Sequence, residues 1–138
     1  MRANVAVSAI LDANVLLAAK VGNRNYFGIV PQRTATPYTA IQVISDIPEQ
    51  TSEGQSGLVN AKVQVTAFAN TAKEASDTAD LVKLALDNAF GEFNGVRIHR
   101  ITRLDGGESP GSPVGSSEKP LAGYYHEFEV PYEEAVPA

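Results

Sequence analysis

The serine of the segment "GESPG", Ser109, has surroundings that resemble those of a catalytic nucleophile. The segment matches the G-x-S-x-G pattern, in which a sharp turn between a strand and a helix exposes the serine hydroxyl beside backbone N–H groups. Here the serine lies in a stretch rich in Gly, Ser and Pro, and the Pro110 that follows it has no N–H to donate to an oxyanion. The sequence therefore argues against nucleophilic catalysis at Ser109.

The two histidines, His99 and His126, are the other candidates for a base or a metal ligand. Neither has a metal-ligating residue two or four positions later, which is the spacing expected on one strand or helix face. One interpretation is that the two histidines face each other across a predicted hairpin. The other is that they lie apart as neutral or surface histidines, and histidines of this kind are commoner on strands. The chain has no cysteine, which excludes disulfides and thiolate metal sites. We therefore expect no catalytic residue, no cofactor and no metal.

Charged side chains are concentrated on the last two predicted strands. Arg97, Arg100 and Arg103 make one strand basic, and Glu127 and Glu129 make the other acidic. Ion pairs across a hairpin explain both without a ligand. The 138-residue chain has a net charge of −5, which argues against a sequence-independent nucleic-acid binder. Its composition, 43% hydrophobic and 20% charged, is that of an ordinary globular domain.

The first twenty residues combine an apolar stripe with polar interruptions. Ala9 and Leu16 lie near one helical face, and the pattern predicts a helix over residues 3–19. A signal peptide is the alternative interpretation, but Asp12 and Asn14 interrupt its apolar run. No run approaches the ~18 apolar residues needed to cross a bilayer, so we expect no membrane association.

The segment from Ser56 to Phe90 changes its periodicity in the middle. Apolar residues alternate up to Ala69, which predicts a strand, and they return every three or four positions after Thr71, which predicts a helix. Thr71 and Glu74 match a capping box at the start of that helix. The predicted buried stripe of the helix consists of Ala75, Ala79, Val82, Leu86 and Ala89.

Two leucines of this predicted helix lie away from its buried stripe. Leu84 falls on the polar face, and Leu81 lies to one side of it. Single exposed leucines are common on protein surfaces and need no explanation. The alternative interpretation is that the helix has a second contact, with another subunit.

The remaining segments complete an α+β pattern. We expect a short extended piece over 26–30, strands over "YTAIQVIS" (38–45), "VRIHRITRL" (96–104) and "AGYYHEFEVPYEE" (122–134), a polar loop over 46–57, a flexible loop over about 105–120 and a short tail over about 133–138. The last two strands form an extended antiparallel hairpin. The prediction is one domain spanning 1–138, with a mostly antiparallel sheet of four or five strands packed by two helices.

The order of these motifs resembles that of the tail-completion proteins of tailed bacteriophages, also called tail terminators or tail-to-head joining proteins. The resemblance covers roughly Val7 to Tyr132. Its most specific parts are Pro37 and Tyr38 leading into an apolar strand, the strand-to-helix passage "VQVTAFANTAKEA", and the aromatic strand "YYHEFEVPY". The resemblance implies a structural protein, not an enzyme, whose small α+β subunits assemble as a ring that is usually hexameric.

The resemblance also implies where such a ring acts. It caps the head-proximal end of the tail tube, ends tube polymerisation and joins the tail to the head. The implied partners are further copies of the chain, the tail tube protein and a neck or head-completion protein, while DNA passes through the lumen without specific binding. The protein would be made in the bacterial host cytoplasm and reside at the tail–neck junction of the virion.

Candidate contact residues follow from the two features that the core does not require, the off-stripe leucines and the long loop. They are Leu81, Leu84, Asp105, Glu108, Ser112, Val114 and Lys119. Three other functions stay open at this point. They are another neck component such as a head-completion or connector protein, a small host enzyme acting through Ser109 or the histidines, and a ligand-binding domain of the host.

Overall fold

The computed structural model describes residues 2–27, 30–31, 34–51, 54–109 and 121–133. Within these residues it contains helices α1 (Arg2–Ala13), α2 (Val15–Val21) and α3 (Ala72–Leu86), and strands β1 (Asn25–Phe27), β2 (Tyr38–Thr51), β3 (Gly54–Ala69), β4 (Gly91–Phe93), β5 (Val96–Ile98), β6 (Thr102–Ser109) and β7 (Ala122–Glu133). The α+β class is confirmed. The expected counts of two helices and four or five strands are too low, because two predicted elements are divided and short strands were missed.

All seven described strands belong to one sheet, in the order β1-β2-β3-β7-β5-β4, with β6 also paired to β7. β3 and β7 form the centre of the sheet through an antiparallel ladder of paired residues from Leu58–Glu133 to Ala69–Ala122. The described pairings are antiparallel except for β1 with β2, which is parallel. The prediction of a mostly antiparallel sheet is therefore confirmed.

The N-terminal helix predicted over residues 3–19 is wrong, because the chain bends by 90° between α1 and α2. Asn14 causes the break. Its side-chain Oδ1 accepts a hydrogen bond of 2.9 Å from the N–H of Leu17 and caps α2. Asparagine is among the best N-cap residues because its side chain replaces the missing intrahelical acceptor.

Helix α1 lies against the sheet and belongs to the core. Its residues Ala6, Val7 and Leu11 are fully buried. No single described helix is long and apolar enough to span a bilayer; only the bent α1–α2 pair, taken together, reaches that length and hydropathy.

The polar loop predicted over 46–57 is also wrong. β2 continues to Thr51 and β3 begins at Gly54, so the two strands form one long hairpin. Pro48 pairs in register with Val59 in spite of its missing N–H. Proline is tolerated on a strand at the edge of a sheet, where its nitrogen need not donate to a neighbour.

The strand predicted over 96–104 is divided into β5 and β6 by the segment 99–101. Ile101 is buried there, its N–H donates to the carbonyl of Ala89 at 2.9 Å, and its carbonyl accepts from Asn88 at 2.8 Å. These bonds join the segment 99–101 to Asn88 and Ala89, which follow the end of α3. β6 then continues to Ser109, so the first five residues of the predicted loop 105–120 are in a strand. The antiparallel pairing of β6 with β7 is confirmed, and residues 110–120 lie outside the described residues.

Helix α3 packs on the central strands through small and medium side chains. Thr71 caps it by accepting from the N–H of Glu74 at 3.2 Å, as predicted. The predicted stripe is buried at Ala75, Ala79, Val82 and Leu86, while Ala89 lies beyond the helix end and is partly buried. Alternate residues of β3 are buried beneath the helices, as the sequence pattern indicates; they are Val59, Ala61, Val63, Val65, Ala67 and Ala69.

Replacement of Asn14 tests the cause of the bend. Asn14→Ala removes the acceptor for the Leu17 N–H and is expected to lower the free energy of unfolding by about 1 kcal/mol. Asn14→Asp keeps an acceptor and serves as the control, with a stability near that of the wild type. Urea unfolding followed by circular dichroism measures both variants. Equal stability of Asn14→Ala and the wild type would show that the cap does not stabilise α2.

Candidate assembly surfaces

The outward face of α3 is charged and carries one large apolar side chain. Lys73 and Asp77 form an exposed ion pair of 3.0 Å on this face. Leu84 is 73% exposed, as predicted from its position on the polar side of the helix. Leu81, the second predicted contact residue, is partly buried and packs against the core. The exposed apolar area of α3 is therefore concentrated at Leu84.

Only two of the contact residues predicted in the long loop lie among the described residues, and both are on a strand. Asp105 and Glu108 lie on β6, where both are exposed, and they pair in register with Glu127 and Tyr124 of β7. Ser112, Val114 and Lys119 lie outside the described residues. Asp105 and Glu108 thus belong to a fixed strand and not to a loop.

Three exposed apolar side chains lie near one side of the sheet, and we call this region the α3–β6 edge. Leu84, Phe90 and Leu104 are 73%, 63% and 45% exposed. A hydrogen bond of 3.2 Å from the N–H of Arg103 to Asp87 Oδ1 joins the end of α3 to the start of β6. The sequence indicates only Leu84, because the exposure of Phe90 and Leu104 depends on how the chain after α3 joins the start of β6.

Arg100 lies over the exposed ring of Phe90 at the α3–β6 edge. The guanidinium carbon of Arg100 lies 5.2 Å from the centre of the Phe90 ring. Such a contact contributes about 0.5–1 kcal/mol at an exposed site and limits the orientations of the ring. The α3–β6 edge therefore combines apolar side chains with a positive charge.

A second apolar region lies on the opposite side of the sheet, and we call it the β2 edge. Its large side chains are Ile44 and Ile47, which are 46% and 62% exposed. β1 pairs with β2 only over Thr39–Ile41, and past Ile41 no described strand pairs with β2 on that side. The sequence does not indicate this region, because Ile47 falls in the predicted polar loop and the pairing of 46–48 with β3 has no local signal.

The middle of the sheet face that carries no helix is polar, while Tyr38 and Phe68 pack on this face at one end and Ile47 lies on it at the other. In β3 the residues between the buried ones, such as Lys62 and Gln64, point to this face, as the alternation predicts. Lys62 forms an ion pair of 3.6 Å with Glu127 of β7. Polar or charged residues on neighbouring strands continue the face; they include Gln42, Asp105 and Glu129. A solvated face of this kind is usual for an antiparallel sheet packed on one side.

His126 is buried beneath α3 and bonded to Arg103. Its Nδ1 accepts from Arg103 Nε at 2.9 Å, so in the neutral ring Nε2 carries the hydrogen; Nε2 is buried and has no partner among the described residues. Gly106 makes room for this pair, since a Cβ there would lie 2.5 Å from Arg103 Nη2 and 2.8 Å from His126 Nδ1. Burial lowers the pKa of His126, and the charges of Arg103 and Lys83 lower it further, while Asp80 acts in the opposite direction.

The other candidates for chemistry are separate from one another. Ser109 ends β6, where it pairs in register with Gly123 of β7. His99 does not face His126; its Nε2 lies 2.9 Å from Glu133 Oε2. The described residues contain no group of three or more His, Cys, Asp or Glu that could hold a metal ion.

The ion pairs predicted between the arginines and Glu127 or Glu129 are wrong in their partners. Arg97 Nε lies 3.6 Å from Glu133, and Glu127 pairs with Lys62 of β3. The reason is register: β5 pairs with β7 at Tyr132, which places Arg97 near Glu133, and Arg103 lies opposite Phe128 on the helix side of the sheet, where it donates to His126. Both ion pairs are partly exposed and contribute little to stability.

Comparison with known proteins gives a family and a fold. Residues 5–109 match the family model described as Tail completion protein gp17. No curated protein matches the sequence. Among solved structures, the chain is similar to one from "Virion of native gene transfer agent (GTA) particle", with a TM-score of 0.74 and 20% identity over 94% of this chain and 93% of that chain. At this identity the likeness shows the fold alone.

The buried histidine predicts a pH dependence of stability. The unfolded chain binds a proton at the usual His pKa near 6.5, whereas the folded chain binds it only at lower pH. The free energy of unfolding therefore falls as the pH drops below about 6.5, with a slope of at most about 1.4 kcal/mol per pH unit from this group. His126→Asn keeps an acceptor for Arg103 but cannot ionise, so its slope in this range should be smaller. Urea unfolding at several pH values measures the slope of the free energy of unfolding against pH. Equal slopes in the wild type and His126→Asn would show that His126 does not cause the pH dependence.

Proposed function

Because the chain belongs to the family of tail completion proteins, we propose that it forms a ring at the head-proximal end of a phage tail tube. As a member of this family it is a structural component of a virion and not an enzyme. In the proposed role the ring ends polymerisation of the tube and presents a surface for the neck of the head. The family match over residues 5–109 is the observation that carries the proposal.

The structure of the subunit supports this role. A closed ring repeats one contact between two different surfaces of the same chain. The α3–β6 edge, with Leu84 at its centre, offers large apolar side chains on rigid elements, where a repeated contact keeps a constant angle. The solved chain of similar fold comes from the virion of a gene transfer agent particle. We propose that six copies form the ring.

The charge of the subunit suits a ring through which DNA passes. A ring of six copies carries about thirty negative charges, from a net charge of −5 per chain. We propose that the helix-free face lines the lumen, where Glu127, Glu129 and Asp105 repel phosphate groups. DNA then passes without binding, since binding requires Lys and Arg to replace its counterions.

The partners beyond the ring are the tail tube protein on one side and a neck or head-completion protein on the other. We propose that the segment 110–120, which includes Ser112, Val114 and Lys119, docks on the neck protein. The segment is rich in Gly, Ser and Pro and has little apolar surface of its own to bury. Asp105 and Glu108 lie at its base on β6 and orient it.

Particles assembled without the protein test the proposed function. They should carry tails of abnormal length, or tails that do not join heads, because nothing ends the tube or presents a surface to the neck. Electron microscopy of lysates measures tail length and the fraction of joined particles. Normal tails on normal heads would refute the proposal. Immunogold labelling of tails purified without heads separates a terminator, which labels free tails, from another neck component, which labels heads.

Replacement of Leu84 tests the subunit contact. Leu84→Glu places a charge in the proposed interface and should weaken ring formation by about tenfold or more, which is about 1.4 kcal/mol per tenfold. The monomer should stay folded, because exposed substitutions change stability by about 0.5 kcal/mol at most. Lys73→Gln makes the same change in net charge on the same helix and is the control. If light scattering gives the same oligomer mass for Leu84→Glu and for the control, Leu84 is exposed but not part of the subunit contact.

A further inference from the structure

The sheet has two long open edges among the described residues. β6 pairs with β7 on one side and with no described strand on the other, and the outer side of β2 is covered by β1 only as far as Ile41. An open edge presents backbone N–H and C=O groups that can pair with another chain. The two edges are separated by β3 and β7, that is by about 14 Å at 4.7–4.9 Å per strand. One molecule therefore does not bring them together.

The directions of the strands suit pairing between two copies. Every pairing in the series β2–β3–β7–β6 is antiparallel, so the first and last of these four strands run in opposite directions. A rotation about an axis roughly along the strands keeps the directions unchanged. The β6 of the next copy therefore meets β2 in the antiparallel sense that the rest of the sheet uses.

Both edges carry an exposed apolar residue at a bulge. Ile44 lies at the register shift between Val43 and Ser45, and Leu104 at the shift between Arg103 and Asp105. They are 46% and 45% exposed. Bulges commonly protect an edge by twisting it away from other chains. A charged residue would protect it further, and the apolar residues found here favour a contact instead.

From these observations we propose that the β2 edge of one subunit binds the α3–β6 edge of the next subunit, so that the sheet continues from copy to copy around the ring. The inference rests on the proposed ring and identifies the second half of its contact. Ile44 of one copy packs against Leu104 of the next. The occupant of the β2 edge is thus a second copy of this chain.

Features of both edges limit the length of the pairing. Pro48 has no N–H to donate, and the N–H of Arg103 is already bonded to Asp87. Regular hydrogen bonding between copies is therefore confined to a few residues on each edge, and the apolar side chains supply the rest of the contact. A short paired stretch of this kind requires the correct angle between copies. It favours closure of a ring over indiscriminate pairing of edges.

Thiol cross-linking tests the proposal, because the wild-type chain has no cysteine. Two variants are made, Ile44→Cys and Leu104→Cys, and treated with a short bismaleimide at a protein concentration where light scattering detects oligomers. A mixture of the two should give a covalent dimer that neither variant gives alone. The double variant should give a ladder of covalent oligomers. Lys73→Cys mixed with Leu104→Cys is the matched control and should give no dimer.

Each other outcome contradicts the proposal in a distinguishable way. If light scattering shows oligomers but the mixture of Ile44→Cys and Leu104→Cys gives no covalent dimer, the ring stands and this contact is overturned. A dimer from Ile44→Cys alone would show that two β2 edges meet, which is a symmetric contact and not the one proposed. A protein that stays monomeric at all concentrations and on tail tubes would overturn the ring together with the contact.

Discussion

The close packing of α3 on the β3–β7 pair is the constraint on which the rest of the subunit depends. Ala75 and Ala79 let the helix approach the sheet, and Val82 and Leu86 fill the space above Val63, Val65 and Phe128, all of them buried. Full burial of each such valine or leucine contributes about 1.5–3 kcal/mol. The helix covers the centre of one face, and among the described residues the middle of the other face is polar and the outer sides of β2 and β6 are largely unpaired. The surfaces available for assembly are therefore what this packing leaves uncovered.

This arrangement explains how a chain without reactive chemistry performs its role. A tail component must present the same surfaces at the same angles in every copy, and that requires stiffness rather than acid–base groups. The long β3–β7 ladder supplies the stiffness along the strands. The hydroxyl of Tyr132 on β7 adds a link across β3 by donating to the carboxylate of Asp46 on β2 at 2.9 Å. The partly buried Arg103–His126 pair fixes the start of β6 beneath α3 in the same way.

The parts of the fold that the sequence predicted are those with a local signal. Thr71 caps α3 because its hydroxyl accepts from a residue only three positions away, and the stripe of α3 follows from helical periodicity alone. The alternation of apolar and polar residues along β3 and β7 likewise indicates which face of the sheet is buried. The exposed Leu84 could be predicted for the same reason, since it depends only on position around the helix.

The parts that the sequence did not predict depend on distant residues. Pro48 and the glycines near the tip of the β2–β3 hairpin are typical of loops, and only the pairing of β2 with β3 makes them part of a sheet. The bend at Asn14 is an exception: its cap to Leu17 is local, but the apolar pattern of residues 3–19 continues across it. The apolar β2 edge and the Phe90–Leu104 part of the α3–β6 edge become surfaces only after the whole sheet has formed. Assembly surfaces are therefore harder to predict than the core, because they depend on what remains uncovered.

The proposed ring on one end of a tail tube can be observed by cryo-electron microscopy of the purified protein mixed with isolated tail tubes. We expect a single ring of density at the head-proximal end of each tube, into which the subunit fits with its helix-free face toward the lumen. Tubes with bare ends, or subunits distributed along the tube wall, would contradict it.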